Sequence, residues 1–319
     1  MSRSNAIAGL AFALLVGCAS NPDVDPRYRP SENVLEVVAV LRRHVPDDTY
    51  RFEPARDFTG RNVYRSSLLR LESLEAVHTE SLRAGHMEGA MAFAKGRALE
   101  RLRAFDLATE QYERAARVET ALRADAEWSA GICRTLQEAR QLGVDLSDIS
   151  DDGDALARHG DPNDVLSQFE SRTLLLESAL RSTEGTHYHA LVREEVERSD
   201  VARARYFIGM RQALPDGDVR AVAELQRVVI RHPKSKNHNR HLLALADLYA
   251  DLAGEYAEAH PPEGLYFDPV RFQELVDSGS MLYEMVANKD GTSEKLEASR
   301  RLEAFLAFAL RVDHDRFTP

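Results

Sequence analysis

Two segments of the sequence, residues 90–119 and 203–233, share one pattern of small and large apolar residues. Each has a glycine, an alanine twelve residues later, and apolar residues four and seven positions after that alanine: Gly96, Ala108, Tyr112 and Ala115 in one, and Gly209, Ala221, Leu225 and Val228 in the other. Small residues let two helices touch closely, and a larger apolar side chain one turn later fills the space beside them. The pattern therefore predicts two pairs of antiparallel helices, the second stopped by a proline.

Composition favours the same fold class. The chain has 319 residues, of which 44% are hydrophobic, 29% charged and only 7% aromatic. Ala, Leu, Arg and Glu dominate it, and all four favour helix. Length alone predicts two domains, but stacked helix pairs grow without one closed core, so we predict a single elongated all-α unit. The net charge of −11 argues against general nucleic-acid binding, which needs a basic surface.

The N-terminus has the layout of a secretory signal. Arg3 precedes an apolar run that is too short to span a bilayer, and small residues follow. The run ends in the box Leu15-Val16-Gly17-Cys18, which resembles the processing site of bacterial lipoproteins. The alternative interpretation is a chance apolar N-terminus with a buried cysteine.

The lipoprotein resemblance implies a membrane anchor at Cys18. It implies cleavage before this residue, a diacylglyceryl thioether on the sulfur and an acylated amino terminus, and Ala19 resembles the choice for outer-membrane sorting. Two or more acyl chains give stable anchoring. We therefore expect a signal peptide at residues 1–17 and a lipidated cysteine with a proline-containing tether at 18–31.

Residues 32–319 are predicted to form the helical-repeat domain. Apolar residues at three- and four-residue steps predict a first helix that begins near Glu32, and a later helix with a buried stripe from Leu166 to Leu180. The same periodicity predicts helices, to within a few residues at each end, at about 64–84, 87–104, 106–121, 123–142, 187–200, 241–258, 269–287 and 293–312. We expect the last two to close the array.

An aspartate-rich segment interrupts the helices near residues 143–164. Within it, four residues match places one, three, five and six of an EF-hand loop, but His159 replaces the glutamate of place twelve: Asp148, Ser150, Asp152 and Gly153. A calcium site and an acidic loop between repeats are both open interpretations, and the missing glutamate favours the loop.

No motif of the common enzyme classes is present in the sequence. His232, His238 and His241 form a local cluster, but we see neither a cysteine nor a well-placed carboxylate beside them. We therefore interpret them as ordinary surface histidines rather than as a zinc site. Cys133 and Trp128 lie among apolar helix residues and are expected in the core. The sequence predicts no enzyme activity, no metal and no cofactor.

The paired segments resemble tetratricopeptide repeats (TPR), which keep the same glycine, alanine and closing proline. The segment RHPKSKNHNRHLLALADLY, from residue 231 onward, is similar to a proline-x-serine turn and alanine-rich helix that recur in TPR lipoproteins of the Gram-negative envelope. The resemblance implies a TPR-like superhelix, or α-solenoid, that faces the periplasm from the outer membrane.

In the TPR family the first helix of each pair lines the concave side. The resemblance therefore implies that six residues contact a partner: Phe93, Arg97, Arg101, Arg203, Tyr206 and Met210. The alternative is that they are merely solvated or packed helix positions. Arginine forks hold carboxylates, and aromatic and methionine side chains give adaptable apolar contact, so an acidic or C-terminal peptide would suit this surface.

Two functions follow from the resemblance. One is a non-enzymatic scaffold that binds an envelope protein or peptide during envelope assembly or maintenance. The other is a small-ligand-binding accessory lipoprotein of a periplasmic solute transporter. An open groove would favour the scaffold, and a deep apolar cavity would favour the ligand binder.

Overall fold

The computed structural model describes residues 63–84, 86–145 and 161–317, and within these ranges it contains helices and turns but no strand. The α-helices, here numbered α1 to α10, are Val63–Ala84, Glu88–Arg101, Phe105–Val118, Arg123–Gln141, Pro162–Ser182, Tyr188–Met210, Gly217–Arg231, His238–Ala259, Pro269–Ala287 and Lys295–Phe317. A short 3₁₀ helix, Thr120–Leu122, precedes α4. The all-α prediction is confirmed. Over the described ranges, no helix is both long and apolar enough to cross a membrane.

Several predictions concern residues outside the described ranges. They are the signal peptide at 1–17, lipidated Cys18, the tether at 18–31, the helix that begins near Glu32, and the EF-hand-like positions 148–159. These stay predictions. The described chain divides into two compact units, Met1–Cys133 and Arg134–Pro319, and the division falls within α4.

In the first unit, α2 and α3 form the antiparallel pair that the first repeat predicts. Gly89 lies against Glu119 and Gly96 lies against Tyr112. Residue numbers therefore rise along one helix as they fall along the other, so the two helices are antiparallel. A Cβ atom on Gly96 would lie 2.8 Å from the ring of Tyr112, which leaves room for glycine alone. Ala108 and Tyr112 are fully buried. Helix α1 packs on the other side of α2, through Leu71, Leu82 and Met91.

In the second unit, helices α6 to α10 share one hydrophobic core. The buried face of α7 consists of Ala221, Leu225 and Val228, the residues that the second repeat predicts. Gly209 is nevertheless exposed near the end of α6, so the close helix contact predicted there is wrong. Further along, Gly279 of α9 brings its backbone against the ring of Phe305 of α10.

The length of helix α6 also differs from the sequence prediction. Residues 187–200 were expected to form a helix of their own, but Tyr188–Met210 is one continuous helix of 23 residues. Neither glycine nor proline occurs in it before Gly209, so nothing stops the backbone at residue 200. The long helix runs past α7 and brings Glu197 and Asp200 beneath the turn that leads into α8.

Candidate functional site: a groove between three helices

A groove of about 700 Å³ lies between α7, α8 and α9 in the second unit. Its lining combines apolar side chains with polar side chains: Gln212, Asp218, Val219, Val222, Ala223, Gln226, Tyr249, Leu252, Glu255, Tyr256, Ala259, Arg271 and Leu275. Val222, Leu252 and Leu275 are partly buried and pack against the core, so they form an apolar floor. Val219 remains 69% exposed, which shows that the groove is open to solvent.

Hydrogen bonds fix the walls of the groove to one another. The side-chain amide of Gln226 donates to the hydroxyl oxygen of Tyr249 across 3.0 Å, joining α7 to α8. The hydroxyl oxygen of Tyr256 accepts from the backbone N–H of Asp268 across 2.7 Å, joining α8 to the start of α9. The Asp268 carboxylate caps α9 by accepting from the backbone N–H of Val270. The groove is therefore preformed in the folded chain.

Arg211 forms ion pairs with the two carboxylates on one side of the groove. Its guanidinium donates to Asp218 across 3.1 Å and binds Glu255 through both of its terminal nitrogens. The hydrogen bonds from Arg211 lower the pKa of Glu255, and those with Glu255 and Asp218 raise the pKa of Arg211. Arg211 thus already engages both carboxylates through charge-assisted hydrogen bonds.

Arg271 stands apart from this network. Its guanidinium lies over the ring of Tyr256, 5.3 Å from the ring centroid, a cation–π geometry. Among the described residues, no carboxylate comes within ion-pair distance of it. The groove therefore presents one arginine whose charge is unmatched.

A second polar cluster lies under the turn between α7 and α8. The Asp200 carboxylate accepts from His232 across 2.8 Å and from Arg227 across 3.0 Å, and it also pairs with Arg231. One turn earlier on α6, Glu197 accepts from His241 across 2.8 Å. Among the described residues, no group of three or more histidine, cysteine, aspartate or glutamate side chains could hold a metal ion.

The hydrogen bonds of Glu197 tie this cluster to the turn. Burial by itself would raise the pKa of Glu197, but hydrogen bonds from His241, Ser235 and Asn237 outweigh it and lower the pKa to about 2. The same opposition of burial and hydrogen bonding lowers the pKa of Asp200. All of these donors hold the turn in place, and none is directed into the groove.

The histidines therefore differ from their sequence interpretation. His232 and His241 are buried, not on the surface, and each contacts a carboxylate of α6 that the sequence could not place. Trp128 is 40% exposed, so its expected place in the core is also wrong. Cys133 is buried as expected, and burial raises the pKa of its thiol, which keeps it protonated and unreactive.

The three partner-binding residues predicted on α2 lie together in the first unit. Phe93 meets Tyr112 edge to face, 5.2 Å between ring centroids. Arg97 lies over the Phe93 ring and pairs with Glu100. Arg101 is only 5% exposed. The structure thus gives each of them an internal contact or burial, and partner binding by them stays a prediction.

The three predicted on α6 lie in the second unit but outside the groove. Arg203 pairs with Glu224 across 3.0 Å. Tyr206 is 1% exposed and packs against Phe169, and Met210 packs against the same cluster. Binding by these residues also stays a prediction.

One feature of the sequence is consistent with the groove. Helix α7 carries a second apolar face, Val219, Val222 and Ala223, beside the face that its core residues form. A helix with two apolar faces needs two neighbours or leaves one face uncovered. Nothing in the sequence shows which of these occurs.

Comparisons with known proteins assign this chain to no family. No family model matches it, and no curated protein matches it at a significant level. The groove and its charges are therefore the observations from which a function can be argued.

Proposed function

We propose that this chain is a non-enzymatic scaffold that binds a peptide segment of an envelope protein in the groove between α7, α8 and α9. The single observation that carries the proposal is the preformed, open groove with an apolar floor, an exposed Val219 and an unmatched Arg271. Protein interfaces are enriched in aromatic residues and arginine around an apolar centre, and the groove has this composition.

The helix pairs support a TPR-like superhelix as the framework of this scaffold. The pairs α2–α3, α6–α7 and α8–α9 each pack together, and both α7 and α9 flank α8. Stacked pairs form the extended surfaces on which repeat proteins bind partners. The groove lies where the pair α6–α7 meets the pair α8–α9. The face of α2 in the first unit and the face of α6 in the second unit, both named from the sequence, are two further candidate surfaces for a partner.

The Leu15-Val16-Gly17-Cys18 box supports a lipid anchor at Cys18, and with it a position on the outer membrane facing the periplasm. Mass spectrometry of the mature N-terminus should find an acylated Cys18. An unmodified cysteine, or a chain that still carries Met1, would remove the anchor from the proposal and leave the groove untouched.

A small ligand is the second candidate for the groove, within an accessory lipoprotein of a solute transporter. The volume of about 700 Å³ supports it, because pockets for small molecules span roughly 300–1,000 Å³. The exposure of Val219 favours the peptide, because a small-molecule site buries most of its ligand.

Photo-crosslinking in intact cells tests the peptide proposal. A photo-reactive phenylalanine analogue replaces Val219 in the groove or, as a matched control, Ile230, which lies outside the groove on the same helix and is 77% exposed. We expect a discrete protein adduct from position 219 and none from position 230. Equal adducts from both positions, or none from position 219, would count against a peptide partner in the groove.

A further inference from the structure

The charges around the groove are unequally satisfied. Asp218 and Glu255 are both engaged by Arg211, which lies at their side of the groove. Arg271, on the α9 side, has no carboxylate partner among the described residues. A partner with a basic side chain would therefore meet carboxylates that are already paired, whereas a partner with a carboxylate would meet a guanidinium that is not.

Arg271 is also held in position. It lies in the first turn of α9, which Asp268 caps and Pro269 begins, and its guanidinium lies over Tyr256. The Tyr256 hydroxyl in turn accepts a hydrogen bond from the backbone N–H of Asp268, which fixes the ring. An arginine whose side chain is already placed loses less conformational freedom when it binds a carboxylate.

Apolar residues share the groove lining with this arginine. Leu275 lies one turn after Arg271 on α9, and Leu252 lies one turn before Tyr256 on α8. Contact with a partner's apolar side chains would exclude water from the guanidinium and strengthen its pairing with a carboxylate. A partner that fits these residues would therefore carry an acidic side chain close to apolar side chains.

Resting on the proposed function, we infer that the groove selects a peptide segment in which an aspartate or glutamate lies beside large apolar side chains. The carboxylate pairs with Arg271, and the apolar side chains cover Val222, Leu252 and Leu275. Specificity arises because basic segments find no unengaged carboxylate along the same lining.

A phage-displayed library of random dodecapeptides tests this inference without assuming a partner. The full mature chain serves as bait, and peptides that bind the Val219→Glu variant equally well are removed. Val219→Glu places a charge on the apolar lining, and Ile230→Glu on the same helix is its matched control. The affinities of the remaining peptides are then measured for Arg271→Gln and for its control Arg220→Gln, an exposed arginine of α7 outside the groove.

We expect the remaining peptides to carry an acidic residue next to aliphatic or aromatic residues. They should bind Arg220→Gln like the unaltered chain and Arg271→Gln about fivefold more weakly at low salt. High salt should shrink this difference.

Two outcomes separate this inference from the proposed function. Peptides that depend on Val219 but lack acidic residues, or bind Arg271→Gln with unchanged affinity, would overturn the acidic selectivity and leave the groove a peptide site. If no peptide distinguishes Val219→Glu from Ile230→Glu, the groove is not a peptide site, and both the inference and the proposed function fail.

Discussion

A single added methyl group at residue 96 tests how closely α2 and α3 pack. In Gly96→Ala the new Cβ atom would lie 2.8 Å from the Tyr112 ring. The ring cannot withdraw freely, because its hydroxyl donates to the buried Glu100 across 2.7 Å. We expect a loss of about 1–3 kcal/mol in the free energy of unfolding, measured by urea denaturation.

Gly254→Ala is the matched control. Gly254 lies within α8, and a Cβ atom there would meet nothing within 4 Å, so the alanine should raise the free energy of unfolding by about 0.5–1 kcal/mol. If both substitutions stabilise the chain, the close contact at Gly96 does not exist.

The lowered pKa of Glu197 predicts that the free energy of unfolding decreases in acid. Its pKa falls from an ordinary 4.5 to about 2 in the folded chain, so its contribution is complete above pH 4.5 and is lost as the pH falls towards 2. Allowing for solvent screening, the contribution is on the order of 2 kcal/mol. The difference in unfolding free energy between the unaltered chain and Glu197→Gln should therefore narrow over this range. Glu258→Gln, at an exposed residue of α8, is the control and should change the free energy of unfolding by less than about 0.5 kcal/mol.

Residues show where sequence reasoning succeeds and where it stops. Gly96 and Tyr112 could be placed together because their spacing reports a contact between neighbouring helices. Trp128 and His232 could not be placed, because exposure depends on which helix covers a position. His232 is buried and contacts the carboxylate of Asp200, which lies 32 residues earlier in the chain.

At the scale of an element, the start of α9 gives a clean test of capping. Asp268 accepts from the backbone N–H groups of Val270 and Arg271 at 2.9 and 3.4 Å. Asp268→Ala should lower the free energy of unfolding by about 1 kcal/mol, because these groups would lose their acceptor. The control is Glu284→Ala, at an exposed residue of the same helix, which should change it by less than about 0.5 kcal/mol. Equal effects would mean that the cap contributes nothing.

Local signals decided which helix ends could be predicted. The bounds predicted for α9, about 269–287, agree with Pro269–Ala287, since an aspartate cap and Pro269 mark its start. The end of α10 was placed at residue 312, but the helix continues to Phe317, because no glycine or proline intervenes. The missed continuity of α6 has the same cause.

The groove belongs to the scale of the whole molecule, which the sequence could not supply. Its lining comes from three helices and from the turn before α7, with residues as far apart as Gln212 and Leu275. Periodicity identifies the apolar faces of α7 and α8, but only packing decides which faces stay uncovered. The acidic partner expected from the sequence and the acidic segment inferred from Arg271 agree in chemistry while they involve different surfaces.

These two surfaces predict opposite results in one experiment. Affinity capture from detergent-solubilised envelope compares Val219→Glu, in the groove, with Arg97→Ala, on the face of α2 that the sequence predicted. Arg97 already pairs with Glu100 and lies over Phe93, so its charge is less available than that of Arg271. We therefore expect Val219→Glu to reduce partner recovery at least about tenfold and Arg97→Ala to leave it within about twofold. With both variants folded by circular dichroism, the reverse result would place the partner on α2 and return the groove to an unused surface.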